Sequence, residues 1–378
     1  MNLADMLSYA DIEQLSRIAD TYECECNGHS KHELIQSILA KLGRRDIFDA
    51  RVESLPLEDI RFLNSLLFDS RSSFSLEELV ARVQQTRFVR SEKDEGWNPR
   101  DMIARFKQHG WLFNGYSQQT KYLFQVPNDL KKRFGDVLSK KFQAQLTYMD
   151  AEPAVYRDEQ KLLADDITHF LSFVKGNEVA LTDMGSMYKR TIGQVLDRMS
   201  VREEPIGKAA FRFGYGRMFK EYPNRFSLIY DYCFYNGLIS ENAGQLKVTE
   251  QGAERADSPI REDLSAVYRF WLKLYKNPIP NVQSIVQWVE RLSRNWVTVD
   301  SLGAVLCPLI RPFYYDTSES IFEQRVVQMM MHLGLLRLGE DDRYGRVLQT
   351  TKLGSSIIQG TYVAEEDRIP LMIEQGAG

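Results

Sequence analysis

A mainly α-helical fold carrying small β-hairpins is predicted by three observations. Apolar residues recur at helical spacing through most of the 378 residues. Helix-start signals precede several of these runs: Ser30 with Glu33, Ser75 with Glu78, and Asn98 before Pro99. A phrase also recurs towards the C-terminus. Gly237-Leu238-Ile239, a polar turn, then Leu246-Lys247-Val248-Thr249 and Gly252 is matched by Gly334-Leu335-Leu336, a turn, then Val347-Leu348-Gln349-Thr350-Thr351 and Gly354. A looser copy runs from Gly110-Trp111-Leu112 to Lys121-Tyr122-Leu123-Phe124-Gln125-Val126. Each copy reads as a helix end, a short strand, a turn, a second strand and a new helix.

In chain order, Ile12, Leu15, Ile18 and Ala19 mark a first helix, and a polar turn from Glu23 to Gly28 follows. Ser30 caps a second helix carrying Leu34, Ile35, Ile38, Leu39 and Leu42, which Gly43 stops. Helices are expected over 57–68, 75–84 and 98–109, with a charged loop over 90–96. Strands over 111–114 and 121–126 then flank a hairpin tip at 115–119. Three helices and a hairpin make a winged helix-turn-helix variant. A helical connector breaks near Glu152-Pro153. A second block has helices over 161–174, around 188–199, over 217–222 and over 226–236, a short strand over 177–182, a hairpin over 238–249 and a helix over 251–256. An aromatic helix over 260–276 ends at Asn277-Pro278-Ile279-Pro280. The last block opens at Trp296-Val297-Thr298-Val299, continues with helices over 302–310 and 320–332, and closes in the second clear hairpin.

The first segment, with Leu15-x-x-Ile18-Ala19 and Ser30-Lys31-x-Glu33-Leu34-Ile35-x-x-Ile38-Leu39, resembles the SAP and Rho N-terminal-like helical modules over about 5–43. That resemblance implies nucleic-acid contact and makes Lys31, Lys41, Arg44 and Arg45 candidate phosphate ligands. A larger resemblance rests on four stretches. These are Val179-Ala180-Leu181-Thr182-Asp183-Met184-Gly185-Ser186-Met187-Tyr188-Lys189-Arg190; Gly237-Leu238-Ile239 with Val248-Thr249; Ser258-Pro259-Ile260-Arg261-Glu262-Asp263-Leu264 with Trp271-Leu272; and Leu333-Gly334-Leu335-Leu336 with Thr351-Lys352-Leu353-Gly354. Over about 158–358 their order resembles the bacterial helicase-associated proteins related to the N-terminal region of XPB-type repair helicases. The resemblance implies tandem winged-helix modules accompanying DNA transactions, without the helicase motor. The expected division is a SAP-like module over 1–45, winged-helix-like domains over 53–136, 158–257 and 296–360, a helical connector over 137–157, a helical linker over 258–295 and a tail over 361–378.

Composition and charge bound the function. With 43% hydrophobic residues the chain can bury real cores, and a net charge of −4 argues against a histone-like coat on nucleic acid. Four cysteines make no disulfide scaffold. No apolar run reaches membrane-spanning length and no signal peptide is read, so a soluble, cytoplasmic protein is expected, with nucleoid association as an option. No phosphate-binding loop is present: Gly207-Lys208 is followed by Ala209, and Arg202 stands where the first glycine belongs. Cys24-x-Cys26-x-x-His29-x-x-His32 supplies zinc-type ligands, but at a spacing too tight for a finger. His169 is isolated, and His109 and His332 read as helix-end residues. Asp165-Asp166 and Asp341-Asp342 read as solvated surface. No enzyme, no cofactor and no metal are therefore expected.

Basic residues do cluster locally. Arg100, Arg105 and Lys107 lie on the first recognition-like helix, with Lys131, Lys132 and Arg133 beyond its hairpin, and Lys189 and Arg190 begin another helix. Lys208, Arg212, Arg217, Lys220 and Arg225 interleave with Phe211, Phe213, Tyr215, Phe219 and Tyr222. Cations suit phosphates and aromatics suit unpaired bases; the same spacing also suits a core. The leading expectation is a non-catalytic DNA-binding or helicase-associated protein of bacterial DNA metabolism or transcription, with duplex or single-stranded DNA as partner and a helicase or other DNA-processing protein as an optional second one. The alternative is an interaction scaffold that docks protein through its hairpins and a Trp271/Tyr275 surface.

Overall fold

Two units, Met1–Gln145 and Leu146–Gly378, form in a computed structural model that describes residues 1–69, 71–88, 96–207, 212–364, 367 and 369. Both are mainly helical with small antiparallel sheets. No helix among the described residues is long and apolar enough to cross a membrane.

The first unit begins with α1 (Leu3–Tyr9), α2 (Ile12–Thr21), α3 (Lys31–Gly43) and α4 (Arg45–Glu53). It continues with α5 (Leu57–Leu67), α6 (Leu76–Thr86), α7 (Pro99–Gln108), β1 (Phe113–Asn114), β2 (Phe124–Gln125) and α8 (Asn128–Gln143). Local chemistry sets the helix starts. Asp11 accepts from Gln14 N at 2.7 Å, and Ser75 and Glu78 exchange bonds of 3.2 and 2.7 Å as a capping box. Asn98 caps α7 with Pro99 in the first turn. Phe74 joins the β1–β2 hairpin by two backbone bonds to Phe124. At the centre Trp111 is fully buried among Phe106, Phe134 and Phe48, with centroids 5.5, 5.1 and 6.3 Å away. Each such ring stabilises the unit by roughly 2–3 kcal/mol through lost apolar surface.

The second unit contains β3 (Val155–Arg157), α9 (Leu162–Gly176), β4 (Val179–Ala180), α10 (Lys189–Leu196) and α11 (Asn224–Tyr235). Then follow β5 (Ile239–Asn242), β6 (Gln245–Val248), α12 (Glu250–Asp257), α13 (Leu264–Tyr275), α14 (Val282–Leu292), β7 (Val297–Thr298) and α15 (Val299–Leu306). A continuous rod comprises α16 (Ser318–Ser320), a π-helical stretch (Ile321–Val327) and α17 (Gln328–His332). It leads into β8 (Leu336–Asp341), β9 (Gly345–Thr350) and α18 (Lys352–Gly360). One sheet has the order β4-β6-β5 and the other β3-β8-β9-β7.

The repeated phrase has a repeated geometry. Gly237 and Gly334 both take φ near +70°, at 68° and 70°, which ends the helix at low steric cost. Leu238 N then bonds Cys233 O at 2.8 Å, as Leu335 N bonds Met330 O at 2.9 Å. Thr249 N returns to Leu238 O at 3.1 Å, as Thr351 N returns to Leu335 O at 2.9 Å. The same threonines cap the next helices through Gly252 N and Gly354 N, at 3.0 and 2.8 Å. A Cβ on Gly252 would stand 1.9 Å from Leu238 O, and one on Gly354 would stand 2.0 Å from Leu335 O. Thr-x-x-Gly is therefore a packing requirement of the frame. The earlier copy keeps the terminating glycine, with Gly110 at φ 65°, but proceeds through Pro127 into α8 without that cap.

Several expectations are corrected. Residues 217–222 form turns and bends in place of the expected helix, with Arg217 N held by the Asp231 carboxylate at 2.8 Å. The stretch 258–295 holds α13 and α14, which bury Trp271 and Trp288 completely. Trp271 and Tyr275 are thus core and offer no docking surface. The segment after residue 135 continues α8, whose Phe134, Val137, Leu138 and Phe142 are buried, and β3 later pairs with β8. Helices α1 and α4 were not anticipated. His109 ends α7, but burial, with Arg51 and Arg105 nearby, pushes its pKa down to about 4, so it brings no charge to the helix end at neutral pH.

Asp166 is buried rather than solvated, and it accepts from Arg225 Nη1 at 2.6 Å and Ser200 N at 2.6 Å. His169 Nδ1 lies 3.2 Å from the same carboxylate, so it is not isolated. Arg225 also reaches Glu159 at 3.1 Å, and buried His332 places Nδ1 3.0 Å from Glu159. Burial alone would raise the Glu159 pKa; His332, Arg225 and Arg157 outweigh it and hold the carboxyl below its ordinary value. Apart from Gly96, the charged loop read over 90–96 lies outside the described residues, as does most of the tail beyond Ala364.

Candidate nucleic-acid interface

The start of α10 is built by the turn before it. Thr182 N donates to Ser186 O at 2.7 Å, Gly185 N donates to Thr182 O at 2.8 Å, and Gly185 supplies the required positive φ of 75°. Leu181 N bonds Gly244 O at 2.7 Å, which ties this turn to the β5–β6 hairpin tip. Met187 N is held by the Tyr222 hydroxyl at 2.9 Å. The turn is therefore anchored at both ends while its outer side chains, Met184 and Tyr188, remain exposed.

Lys189 and Arg190 are the first two residues of α10, both exposed and with no protein partner among the described residues. No acidic residue offsets them in the first turn. Cations at a helix N-terminus oppose the macrodipole, a local cost of roughly 0.3–1 kcal/mol each. An anion bound there would meet the guanidinium, the ammonium and the open amides together. Lys31 on α3, Arg45 on α4 and Arg100 on α7 also sit exposed in first turns, but Glu33, Asp46 and Asp101 share those turns.

The other expected contacts divide into accessible and engaged groups. Lys41 is half-buried in the last turn of α3, and Lys220 is exposed near the Phe219 ring at 6.0 Å. Arg45 lines a shallow groove of about 560 Å³ with Asp49, Arg133, Asp136 and Lys140, so its sign is mixed. Arg44 makes a surface pair with Asp46 at 2.7 Å. Arg105 neutralises Asp59 at 2.7 Å; burial still leaves that carboxyl above its ordinary pKa. Lys107 donates to Asn114 Oδ1 at 3.0 Å, and burial lowers its pKa. Beyond the first hairpin, Arg133 donates to Leu42 O at 2.6 Å and burial lowers the Lys131 pKa. In the second unit, Arg212 is half-buried and bonds Asn224 Oδ1 at 2.6 Å, with its pKa lowered by burial and by Arg325. Arg217 grips Glu241 with both guanidinium nitrogens, Nη2 at 2.6 Å, and lies over the Phe234 ring. Lys208 lies outside the described residues.

The four zinc-type residues are not gathered. Cys24 and Cys26 are free and half-buried, His29 and His32 are exposed, and no three His, Cys, Asp or Glu side chains converge as a metal site among the described residues. Sequence reasoning missed Met184 and Tyr188 as exposed neighbours of the two cations. Their signal was an apolar residue set inside a Thr-Asp-x-Gly-Ser turn, where no core is available.

The helix before each clear hairpin, where a winged helix would read bases, is closed off. On α11 every side chain from Arg225 to Cys233 is buried. On the rod before β8 the residues Met329 to His332 are buried, and the exposed positions include Glu319 and Gln324. No known family model matches the chain, and no curated protein matches it.

Proposed function

We propose that this protein is a non-catalytic, helicase-associated DNA-binding protein, built of tandem winged-helix modules behind a SAP-like headpiece and acting in bacterial DNA metabolism or transcription. The observation that carries the reading is the exposed Lys189–Arg190 pair on α10, with no acidic residue in its first turn, behind a turn tied through Leu181 to a hairpin tip. The burial of α11 makes groove reading by that helix impossible, so binding rests on phosphates and carries little sequence preference. The same burial favours a second reading, in which the hairpin modules scaffold protein contacts and never touch nucleic acid.

Titration of labelled DNA across a range of salt separates the two. For the DNA reading, affinity falls steeply with salt, and Lys189→Glu with Arg190→Glu weakens binding and lowers the duplex salt slope by about 2 without unfolding the chain. Undetectable or salt-insensitive binding moves the function to the scaffold.

A further inference from the structure

Two loops of the second unit meet in an aromatic cluster that the Lys189–Arg190 site does not use. Phe313, Tyr314 and Tyr315 lie in a tight turn in which Phe313 and Asp316 exchange both backbone bonds at 2.9 Å. The Phe213 ring, from the segment before α11, packs against all three at 6.2, 6.3 and 5.5 Å. Phe313 and Tyr314 rings lie 4.7 Å apart, and buried Tyr215 backs Phe313 at 5.9 Å. Yet Tyr314 is 74% exposed and Tyr315 is 70% exposed.

The turn is held from below. Asp316 is buried and accepts from Arg325 Nε at 2.9 Å, Arg325 Nη2 at 3.2 Å and Ser320 Oγ at 3.0 Å. Arg325 Nη2 also donates to Phe213 O at 2.7 Å, so one guanidinium clamps both loops. Arg325 belongs to the π-helical stretch Ile321–Val327, a geometry that recurs at functional positions. Tyr314 adopts φ 50°, a left-handed conformation that a bulky side chain avoids unless its surroundings impose it. A clamp, a helix irregularity and a strained tyrosine coincide under two solvent-facing rings.

Charge selects the occupant. Arg311 is exposed two residues before Phe313 and has no partner among the described residues. Within 311–325, Asp316 is paired to Arg325 and Glu323 to Arg346, leaving Glu319 as the one carboxylate without an ion pair among the described residues. An apolar protein face covering the rings would have to desolvate Arg311, whereas a polyanion bearing planar groups meets both features. We propose that Tyr314 and Tyr315 form a stacking platform for unpaired bases of a single-stranded nucleic acid, with Arg311 taking an adjacent phosphate. This inference rests on the nucleic-acid reading and names its substrate class.

The test uses the full chain and compares oligo-dT, oligo-U and a duplex of equal length. Tyr314→Ala with Tyr315→Ala is expected to weaken oligo-dT binding by about 5- to 100-fold per stacked base, with the salt slope unchanged and duplex binding preserved. Tyr314→Phe with Tyr315→Phe should bind as the wild type does, because stacking needs the ring and not the hydroxyl. Circular dichroism checks that the alanine pair stays folded. A matching loss on oligo-U extends the platform to RNA, and a loss on oligo-dT alone restricts it to DNA. The platform is overturned if the alanine pair binds oligo-dT like the wild type, or loses duplex and single strand equally. If the wild type binds duplex in a way that Lys189→Glu with Arg190→Glu weakens while the tyrosine pair changes nothing, the platform fails and the DNA reading stands. If the wild type binds no nucleic acid, both fall.

Discussion

Lys189 and Arg190 face solvent at the start of α10, while Arg212, Arg217 and Arg225, from an equally basic stretch, are each held by an acceptor on their own chain. Both stretches have the formal charge that attracts phosphate. They differ in what surrounds the cations. Lys189 and Arg190 follow a small polar turn whose only large buried side chains are Met187 and Leu181. Arg217 and Arg225 stand among Tyr215, Met218, Tyr222 and Phe226, whose burial draws the backbone inward and brings the guanidiniums to Glu241, Glu159 and Asp166. Accessible charge is what remains after the aromatic residues have chosen their side.

The largest expected effect lies on the inward side. Arg225→Ala removes the buried guanidinium shared by Glu159 and Asp166, leaving Asp166 buried without an arginine partner, and should destabilise the chain by about 3–5 kcal/mol in denaturant unfolding. A loss below about 1 kcal/mol would break the contrast, because Arg225 would then not be a structural cation. Arg217→Ala removes a partly buried bidentate pair and should cost roughly 1–3 kcal/mol, while the folded variant keeps its DNA affinity. Weakened DNA binding at unchanged stability would move Arg217 to the other group.

Asp231, which holds Arg217 N, sharpens the comparison through pH. Burial raises its pKa to about 7, against about 3.9 in an unfolded chain. The folded state therefore keeps a proton that the unfolded state has released, and stability declines as pH rises from about 4 to about 7. Asp231→Asn should flatten that decline, as read by melting temperature across the window; an unchanged profile would place the titration elsewhere. The smallest effects belong to exposed residues. Lys189→Glu with Arg190→Glu should raise stability by roughly 1 kcal/mol, because anions replace cations at the positive end of α10. Arg44→Ala, which removes a wholly solvated pair with Asp46, should leave the melting temperature unmoved.

Much of the frame was readable because it is made of short-range chemistry. Ser30, Ser75, Asn98, Thr249 and Thr351 cap helices within three residues of themselves, and Gly237 and Gly334 end helices by their own backbone freedom. Helix α1 escaped because it has a single turn's worth of apolar residues, and its first backbone amide is satisfied by Asp129, far along the chain. The aromatic helix α13 was legible as a helix, but not as core. Aromatic periodicity is the same on a docking face and on an interior one, and only the helices packed around it distinguish them.

By itself the amino-acid sequence determined the helices, the repeated hairpins and their glycine and threonine hinges, because each depends on neighbours within a few positions. Tertiary structure decided which cations remain available, which histidines and carboxylates are buried together, and that Phe213 would meet Tyr314 and Tyr315 across a hundred residues of chain. Those outcomes depend on desolvation and on partners brought from distant segments, and neither quantity is written in local spacing.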